Sequence, residues 1–566
     1  MITNRVLATA GLLAALLQAC ASRAPTTVAL NQPLPELTFQ DTDGGAAPLS
    51  AFSETGKTSP HLLVVRLVTG WCGPCRWHAA NTRSMVPSEL AGRVRVVDVV
   101  LAGEDNGPPI GTDATAWAER SDGDATIVTD PSFQLAPLFP TRAALPLVAL
   151  VDPRTMTPFA ALSGLTPDAF TDAVRAGVAK LDGAATPAPP SPTLMDGRFT
   201  RDAWELIHDM ALTTSSDPTN AHESDAATIA LGKALFFDGD LSPSSKKVSC
   251  GSCHLPDLLF QDGKDQAPEG VGSGARNVPS VVLAADQRWL FWDGRADSPW
   301  AQAIMPIEDP NEMGSSRLFV SHVLGTKYRA AYEAIFGELP PLDEQARFPS
   351  AGKPGDPAWD AMAAGDRTLV NRVFSNVGKA LAAYEHSLRP LPNALDQYAQ
   401  GKLDALSTAE KDGLGAFFAA GCAQCHYGPR LTDDSFHALR FPTGRPDRAG
   451  DRGRIDGIPK LLASEFRRSG AFSDAPTTRT EPTSSPALLG AFKTPGLRGV
   501  GFTLPYGHGG SFGGLVSTLD AHRTGGVSAD NSSAVGSPET WLVEFDAALT
   551  PKIVAFLQTL RADVPP

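Results

Sequence analysis

Apolar residues follow two different patterns along the chain, and the change between them divides it into two parts. In the amino-terminal part, the apolar runs at 62–68, 94–100 and 147–151 have the length and the β-branched content of buried strands. Helical patterns lie between these runs, an order that is typical of an α/β domain. Beyond residue 195 no strand pattern is convincing, and apolar residues recur at helical spacing. The clearest series is Val370, Val373, Phe374, Val377, Leu381 and Tyr384.

The change of pattern falls in a proline- and alanine-rich segment at 183–195, which we expect to be an extended linker. We therefore predict an α/β domain at 30–182 and two mostly helical lobes at 196–395 and 396–566. A chain of 566 residues with 42% apolar residues can fill several packed cores. The net charge of −14 argues against nucleic acid as a partner and favours cationic proteins.

The first twenty residues are predicted to be an export signal. Arg5 precedes an apolar run at 6–17 that is short for a membrane span. The run leads into Gln18-Ala19-Cys20, which resembles a bacterial lipobox and implies cleavage before Cys20 and a lipid on its thiol. The alternative is an ordinary signal peptide that is cut nearby. Both alternatives predict a periplasmic protein; only the lipobox alternative gives it membrane contact, through a lipid on Cys20.

The motif Cys-x-x-Cys-His occurs twice in the helical part, at 250–254 and at 422–426. In this motif the two thiols form thioethers with the vinyl groups of a haem, and the histidine binds its iron. A zinc site or a pair of disulfides is the alternative, but a histidine next to the second cysteine gives awkward zinc geometry. We therefore predict two covalently bound c-type haems. The binding residues are Cys250, Cys253 and His254 for the first haem, and Cys422, Cys425 and His426 for the second.

A third cysteine motif, Trp71-Cys72-Gly73-Pro74-Cys75, directly follows the first predicted strand. It resembles the active site of thioredoxin-like domains, in particular exported thiol–disulfide oxidoreductases. A cysteine at a helix amino terminus has a stabilised thiolate, so Cys72 is the expected nucleophile and Cys75 the resolving thiol. The resemblance also implies a cis-proline at Pro146, where the alternative is an ordinary trans proline. We expect a thiol–disulfide partner for the pair; a purely structural disulfide is the alternative.

The region from about residue 196 to residue 564 resembles the bacterial di-haem cytochrome c peroxidase and MauG superfamily. Besides the haem motifs, the resemblance is carried by the segments at 275–280, 291–296, 492–498 and 505–508. It implies a two-lobed helical fold in which the first haem reacts with hydrogen peroxide and the second relays electrons. A periplasmic cytochrome c or copper protein would be the electron donor.

The resemblance assigns roles to three side chains near the first haem. Glu312 would move a proton between the two peroxide oxygens, and Gln302 would hydrogen-bond the ligand beside it. Trp292 would conduct electrons between the haems. Without the resemblance, Glu312 and Gln302 would be interpreted as surface residues and Trp292 as a buried aromatic residue.

The resemblance also implies a calcium site between the haems. Asn277 and the backbone carbonyls of Thr503 and Pro505 would provide it, because calcium prefers hard oxygen ligands. An asparagine in a loop is otherwise more often a turn residue.

The sequence departs from the family in two places. The loop at 269–275, where reductively activated peroxidases carry a distal histidine, contains none, which implies a first haem open to peroxide without prior reduction. The sixth-ligand position of the second haem, Met or Tyr in the family, falls on His522, and all eight methionines lie at or before Met362. We predict that His522 is this ligand. The alternatives are a core histidine with His437 as the ligand, or no sixth ligand.

Three functional hypotheses follow. The first is a hydrogen peroxide reductase in which electrons pass from the His426 haem to the His254 haem, coupled to the thiol–disulfide domain. The second is a MauG-like oxidase that modifies a protein or a metal-bound substrate, which His522 favours. The third is a non-catalytic electron-transfer cytochrome, against which Glu312 and Gln302 argue.

Overall fold

The structure is a computed structural model that describes residues 28–140, 142–185, 194–264, 270–272, 274, 276–443, 450–477, 481–528, 530–539 and 541–565. The predicted export signal with Cys20, most of the predicted linker and part of the loop at 269–275 lie outside the described residues. Within the described ranges, no helix combines the length and the apolar character needed to cross a bilayer.

The described residues of the amino-terminal domain form one mixed sheet of seven strands. They span Thr38–Gln40 (β1), Ala46–Pro48 (β2), Leu62–Thr69 (β3), Val94–Ala102 (β4), Ala125–Thr129 (β5), Leu147–Asp152 (β6) and Thr157–Ser163 (β7). The strand order is β2-β1-β5-β4-β3-β6-β7. β3 pairs in parallel with β4 and antiparallel with β6, and β4 pairs in parallel with β5. The three strands predicted from the apolar runs are thus β3, β4 and β6.

Helices cover both faces of this sheet. They span Gly73–Ala80 (α1), Thr82–Met85 (α2), Gly111–Arg120 (α3) and Pro167–Leu181 (α4). α4 begins after the N-cap Thr166 and packs Phe170 and Val174 against one face of the sheet. Trp117 of α3 lies in the core on the other face, which also contains both cysteines of the thioredoxin-like motif. The predicted thioredoxin-like α/β domain is confirmed.

The carboxy-terminal part is mostly helical, as predicted. Its helices span Arg201–Asp209 (α5), Ala226–Phe236 (α6), Pro299–Glu308 (α7), Arg317–Val323 (α8), Arg329–Phe336 (α9), Pro357–Asp360 (α10), Ala364–Ser387 (α11), Ala394–Ala399 (α12), Thr408–Ala419 (α13), Arg454–Ala463 (α14), Leu515–Thr524 (α15) and Thr550–Thr559 (α16). Two short strands, Phe436–Ala438 (β8) and Ala491–Lys493 (β9), pair antiparallel. The sequence did not predict them, because three residues are too few to show an alternation.

The first lobe is built around α11, which carries the clearest helical pattern of the sequence. Most of its central residues are buried. Glycines let its neighbours approach closely: a Cβ on Gly378 would lie 2.2 Å from the carbonyl oxygen of Trp300 in α7. A Cβ on Gly232 of α6 would lie 1.9 Å from the carbonyl oxygen of Ala380. Alanine at either glycine would therefore force these helices apart.

The second lobe has its own core between α13 and α16. The rings of Phe417 and Phe556 pack edge to face, with their centroids 5.3 Å apart. Gly413 again marks the closest crossing, since a Cβ there would lie 2.5 Å from the carbonyl oxygen of Lys552. Cys250 packs against the core of the first lobe and Cys422 against the core of the second, so each haem motif is anchored to a separately packed helical core.

Candidate redox site

One large cavity is lined by both Cys-x-x-Cys-His motifs. Its volume is about 1170 Å³, more than the roughly 300–1,000 Å³ of an ordinary ligand pocket. The motif residues that line it are Cys253, His254, Cys422, Cys425 and His426. The residues predicted to bind two haems therefore face one common space.

The two motif histidines have the same local arrangement. Nδ1 of His254 donates to the carbonyl of Phe260 at 2.8 Å, and Nδ1 of His426 donates to the carbonyl of Leu431 at 2.9 Å. This hydrogen bond fixes the ring and leaves Nε2 for a metal. Burial lowers the pKa of both imidazoles, to about 4 for His426, so both are neutral at pH 7. With all four motif cysteines outside any disulfide, these residues fit two c-type haems.

Glu312 and Gln302 line the same cavity. Gln302 lies on α7, and Glu312 lies in the turn that follows this helix. The backbone N–H groups of Val271 and Gly272 donate to the carbonyls of Glu312 and Asn311, at 2.8 and 2.9 Å. The described part of the loop at 269–275 is thereby fixed to the turn that carries Glu312.

The Glu312 carboxyl is suited to proton transfer near neutral pH. Burial raises its pKa to about 7, the nearby Asp309 carboxylate adds to the shift, and Arg295 opposes it. The side chain also lies close enough to Cys253 to influence that thiol. A carboxyl that titrates near pH 7 can both accept and return a proton under ordinary conditions.

Trp292 and Asn277 are joined by a hydrogen bond at the wall of this cavity. The indole N–H of Trp292 donates to the carbonyl of Asn277 at 3.0 Å. The side-chain amide N–H of Asn277 donates to the carbonyl of Pro505 at 2.8 Å, and its Oδ1 is buried with no hydrogen-bond partner in the described part of the chain. Thr503 also lines the cavity. An unpaired amide oxygen beside backbone carbonyls fits a calcium ion.

His522 faces the cavity from α15. Its Nδ1 donates to the carbonyl of Thr518 at 2.8 Å, which is the arrangement of the two motif histidines. The ring of Phe441 packs edge-on against it, with centroids 5.0 Å apart. Burial lowers the pKa of His522, which keeps the ring neutral and Nε2 able to bind a metal.

His437, the alternative ligand, has both ring nitrogens engaged. Its Nε2 lies 2.9 Å from Asp433, and its Nδ1 lies 2.8 Å from Glu539. Ligand atoms of Cys425, Asp433 and His437 lie within 4.8 Å of one another. Because Cys425 is the predicted thioether residue and His437 is held by two carboxylates, the geometry favours His522 over His437 as an iron ligand.

Cys72 and Cys75 form a disulfide at the amino terminus of α1, with their Cα atoms 5.3 Å apart. The backbone N–H of Cys75 donates to Sγ of Cys72 at 3.2 Å, the contact that stabilises a thiolate at a helix start. The Leu145–Pro146 peptide bond is cis. Both cysteines are 0% exposed. A thiol that attacks another protein must be reachable, so this complete burial requires an explanation.

The second haem motif covers the disulfide. The hydroxyl of Tyr427 donates to the backbone carbonyl of Trp71 at 2.7 Å. Gln424, inside the motif, accepts a hydrogen bond from the backbone N–H of Leu145 at 3.0 Å. The ring of Trp71 lies edge-on to that of His437, with centroids 4.7 Å apart, and Trp71 lines the haem cavity. Sequence analysis missed this contact, because no local pattern links residues so far apart along the chain.

Further hydrogen bonds hold the thioredoxin-like domain against the helical part. Arg142 donates from Nε to the carbonyl of Leu542 and from Nη2 to the carbonyl of Arg523, both at 2.7 Å. Arg523 follows His522 in the last turn of α15. The amino-terminal domain therefore also contacts the helix that carries the predicted sixth ligand.

Glu385, near the carboxyl end of α11, was not singled out by sequence analysis. It is buried, and Oε2 has no hydrogen-bond partner among the residues that the structure describes. Burial raises its pKa to about 8, and the side chain lies near Cys250. A glutamate at a helix end is usually exposed, so the sequence gives no signal for it.

Two haem-binding motifs that face one cavity, beside an acid that titrates near pH 7, define a di-haem c-type cytochrome with an enzyme-like site. A family model described as di-haem cytochrome c peroxidase matches residues 226–404. The methylamine utilization protein MauG of Methylorubrum extorquens is 35% identical over 342 residues, which cover 59% of this chain and 78% of that protein. The cytochrome c551 peroxidase of Nitrosomonas europaea is 28% identical over 363 residues, 63% of this chain and 86% of that protein.

One solved structure is similar to about a quarter of the chain. The exposed lipoprotein thioredoxin Etrx1 of Streptococcus pneumoniae is 20% identical, with a TM-score of 0.20, over 25% of this chain and 98% of that one. The chain belongs to the di-haem cytochrome c peroxidase and MauG family. The strand order of its amino-terminal sheet and the Cys72–Cys75 disulfide at the start of α1 make that domain thioredoxin-like.

Proposed function

We propose that the chain is a periplasmic di-haem peroxidase that reduces hydrogen peroxide to water at the haem bound by His254. The haem bound by His426 relays electrons from a cytochrome c or a copper protein, and the net charge of −14 suits a basic donor. Glu312 is the observation that carries this proposal. A buried acid with a pKa of about 7 at the wall of the haem cavity is what cleavage of an O–O bond needs from the protein.

When bound, the first haem supplies the iron that takes up peroxide and passes electrons to it. The Glu312 carboxylate would accept a proton from one peroxide oxygen and return it to the other, departing oxygen. Gln302 donates a hydrogen bond that holds the peroxide or the product water. Arg295, paired with Asp293 at 3.0 Å, keeps a positive charge near Glu312 and limits the rise of its pKa. Two electrons and two protons then convert one peroxide into two waters.

Trp292 and Asn277 provide the contact between the two haem-binding regions in this proposal. The hydrogen bond from the Trp292 indole to the Asn277 carbonyl fixes the ring at the cavity wall. The unpaired Oδ1 of Asn277, with the carbonyls of Thr503 and Pro505, would hold a calcium ion that keeps this wall rigid. We also propose export by the amino-terminal signal, with a lipid on Cys20.

A MauG-like oxidase is the second candidate, and His522 favours it. Two histidine ligands lower the potential of a haem relative to His/Met ligation. An ordinary cytochrome c then becomes a poorer electron donor, and oxidising equivalents are more readily kept in the protein. The substrate would be a protein or a metal-bound molecule, oxidised at the expense of peroxide.

Peroxide turnover with a reduced cytochrome c as donor separates the two candidates. We expect turnover by the holoprotein, and we expect Glu312→Gln to lower kcat/KM for peroxide by about 10²- to 10⁴-fold. Glu338→Gln, which changes an exposed carboxylate of the same lobe, is the matched control and should leave the rate unchanged. Equal rates for Glu312→Gln and wild type would contradict the proposal. Peroxide consumption that no cytochrome or copper protein accelerates would favour the oxidase.

A further inference from the structure

We infer that the Cys72–Cys75 pair is an internal electron donor to the second haem. Its dithiol form gives up two electrons through Trp71 and His437 to the haem attached at Cys425 and becomes the disulfide. The inference rests on the proposed function for its oxidant, hydrogen peroxide. It assigns the thioredoxin-like domain a substrate inside its own chain.

The burial of the pair argues for an internal partner. Both cysteines are 0% exposed, and the ring of Tyr427 packs against Gly73 between them. A Cβ on Gly73 would lie 2.8 Å from Cδ1 of Tyr427, so only glycine permits this approach. In the docked arrangement another protein cannot reach Sγ of Cys72 for thiol–disulfide exchange. The redox group that the pair does meet is the second haem motif.

Packed aromatic rings join the pair to this motif. Trp71 is bonded to Cys72, its ring lies 4.7 Å from that of His437, and His437 lies within 4.8 Å of the Cys425 sulfur. Electron tunnelling weakens exponentially with the gap between groups, so a continuous series of packed rings is an efficient route. Cys425 would carry the thioether in the proposed holoprotein, so this route would end on an atom that is bonded to the haem.

Both rings of this route are held rigidly. The indole N–H of Trp71 donates to Oδ1 of Asn106 at 2.7 Å, and the amide N–H of Asn106 donates to Glu539 at 2.6 Å. Glu539 and Asp433 in turn bind the two nitrogens of His437. One hydrogen-bonded network therefore fixes Trp71 relative to His437, which a merely structural disulfide would not need.

The reaction balances for electrons and protons. Two S–H bonds, those of Cys72 and Cys75, break and one S–S bond forms, which releases two electrons and two protons. The reduction of one hydrogen peroxide to two waters consumes these two electrons and two protons. The net reaction is dithiol plus hydrogen peroxide to disulfide plus two waters. A thiol reductant, either a small dithiol or a dithiol protein, must then reopen the docked surface and restore the dithiol.

The test uses the full-length holoprotein and counts its electrons. The protein is reduced under argon with dithiothreitol and dithionite until both thiols can be alkylated, freed of reductant, and titrated with peroxide. Haem absorbance and the alkylated mass of Cys72 and Cys75 are recorded at each step. Wild type should consume two equivalents of peroxide, one for the two haems and one for the dithiol, and lose both alkylatable thiols. The Cys72→Ser/Cys75→Ser variant should consume one.

A variant of the route adds a kinetic readout. Trp71→Leu should lose the fast phase of thiol oxidation, whereas Trp77→Phe should retain it, because Trp77 contacts Glu205 and not His437. Equal rates for Trp71→Leu and wild type would overturn the inference. So would thiols that stay fully alkylatable in wild type while peroxide turnover with reduced cytochrome c proceeds, a result that leaves the proposed function intact.

A second titration keeps the two proposals separable. If the protein shows no turnover with any cytochrome or copper-protein donor, the proposed function fails. Ferricyanide, a one-electron oxidant, then tests the relay by itself. Starting from the fully reduced protein, consumption of four equivalents of ferricyanide by wild type and two by the double cysteine variant would support the inference. Consumption of two equivalents by both proteins would overturn it.

Discussion

The hydroxyl of Tyr427 donates a hydrogen bond to the backbone carbonyl of Trp71 at 2.7 Å. It joins the residue after the second haem-binding histidine to the residue before the first thioredoxin-type cysteine. The two cysteine motifs on either side of the predicted linker are therefore joined through the residues that flank them. A substitution that loosens this contact should therefore make the Cys72–Cys75 disulfide more accessible to reductants.

Arg142 provides a test of the docking. Arg142→Ala removes charged hydrogen bonds to the carbonyls of Leu542 and Arg523, which are worth about 1.5–3 kcal/mol. Opening of the interface should then become about 10- to 100-fold more frequent, and dithiothreitol should reduce the disulfide correspondingly faster. Alkylation mass spectrometry measures this rate. Arg154→Ala, which removes an ion pair with Asp152 inside the amino-terminal domain, is the control. Equal rates in the two variants would count against a docked disulfide.

His522 tests the ligation of the second haem. We expect His522→Ala to convert one low-spin haem to a high-spin haem in the electron paramagnetic resonance spectrum, because the strong-field nitrogen ligand is lost. His208→Ala, an exposed histidine of the same part of the chain, should leave the spectrum unchanged. An unchanged spectrum for His522→Ala would refute the ligand prediction.

The pKa of Glu312 predicts a pH profile. Only the carboxylate can take the proton from peroxide, so the rate should rise with pH and level off above about 7. Asp309→Asn removes a like charge and should move the midpoint to lower pH. Stopped-flow mixing with peroxide over a pH series measures both effects. A midpoint that persists in Glu312→Gln, or that moves upward in Asp309→Asn, would exclude this role.

Glu385 predicts a second pH effect, at the first haem. Its pKa of about 8 means that the side chain is neutral at pH 7 and becomes negative as the pH rises. A negative charge near Cys250 favours the oxidised iron, so the potential of the first haem should fall through pH 8. Glu385→Gln should remove this slope, and Glu338→Gln should keep it. Potentiometric titration at several pH values measures it, and a slope that survives Glu385→Gln contradicts the assignment.

Periodicity and motif spacing were enough to predict the central strands β3, β4 and β6, the helix α11 and both haem motifs. The other four strands were missed. β1 and β2 have only three residues each, β5 has five with only two buried, and β7 contains a proline and few buried positions. The role of Gly73 could not be inferred either, because its neighbour Tyr427 lies in another domain. Contacts of this kind depend on docking, which no local pattern encodes.

The burial of functional carboxylates was also beyond sequence analysis. Glu312 was selected only through the family resemblance, since its polar loop indicated a surface position. Glu385 had no such resemblance and was missed. In both cases the pKa depends on the packing of the surrounding fold, which the sequence pattern alone does not give.

The most direct test of a peroxide-reactive first haem is to add one equivalent of hydrogen peroxide to the resting, fully oxidised holoprotein. Absorbance of both haems is followed from the millisecond range, without any prior reduction. We expect an immediate spectral change that Glu312→Gln slows and Glu338→Gln does not. A protein that stays spectrally unchanged until an electron donor has first reduced it would show that the first haem is closed to peroxide at rest.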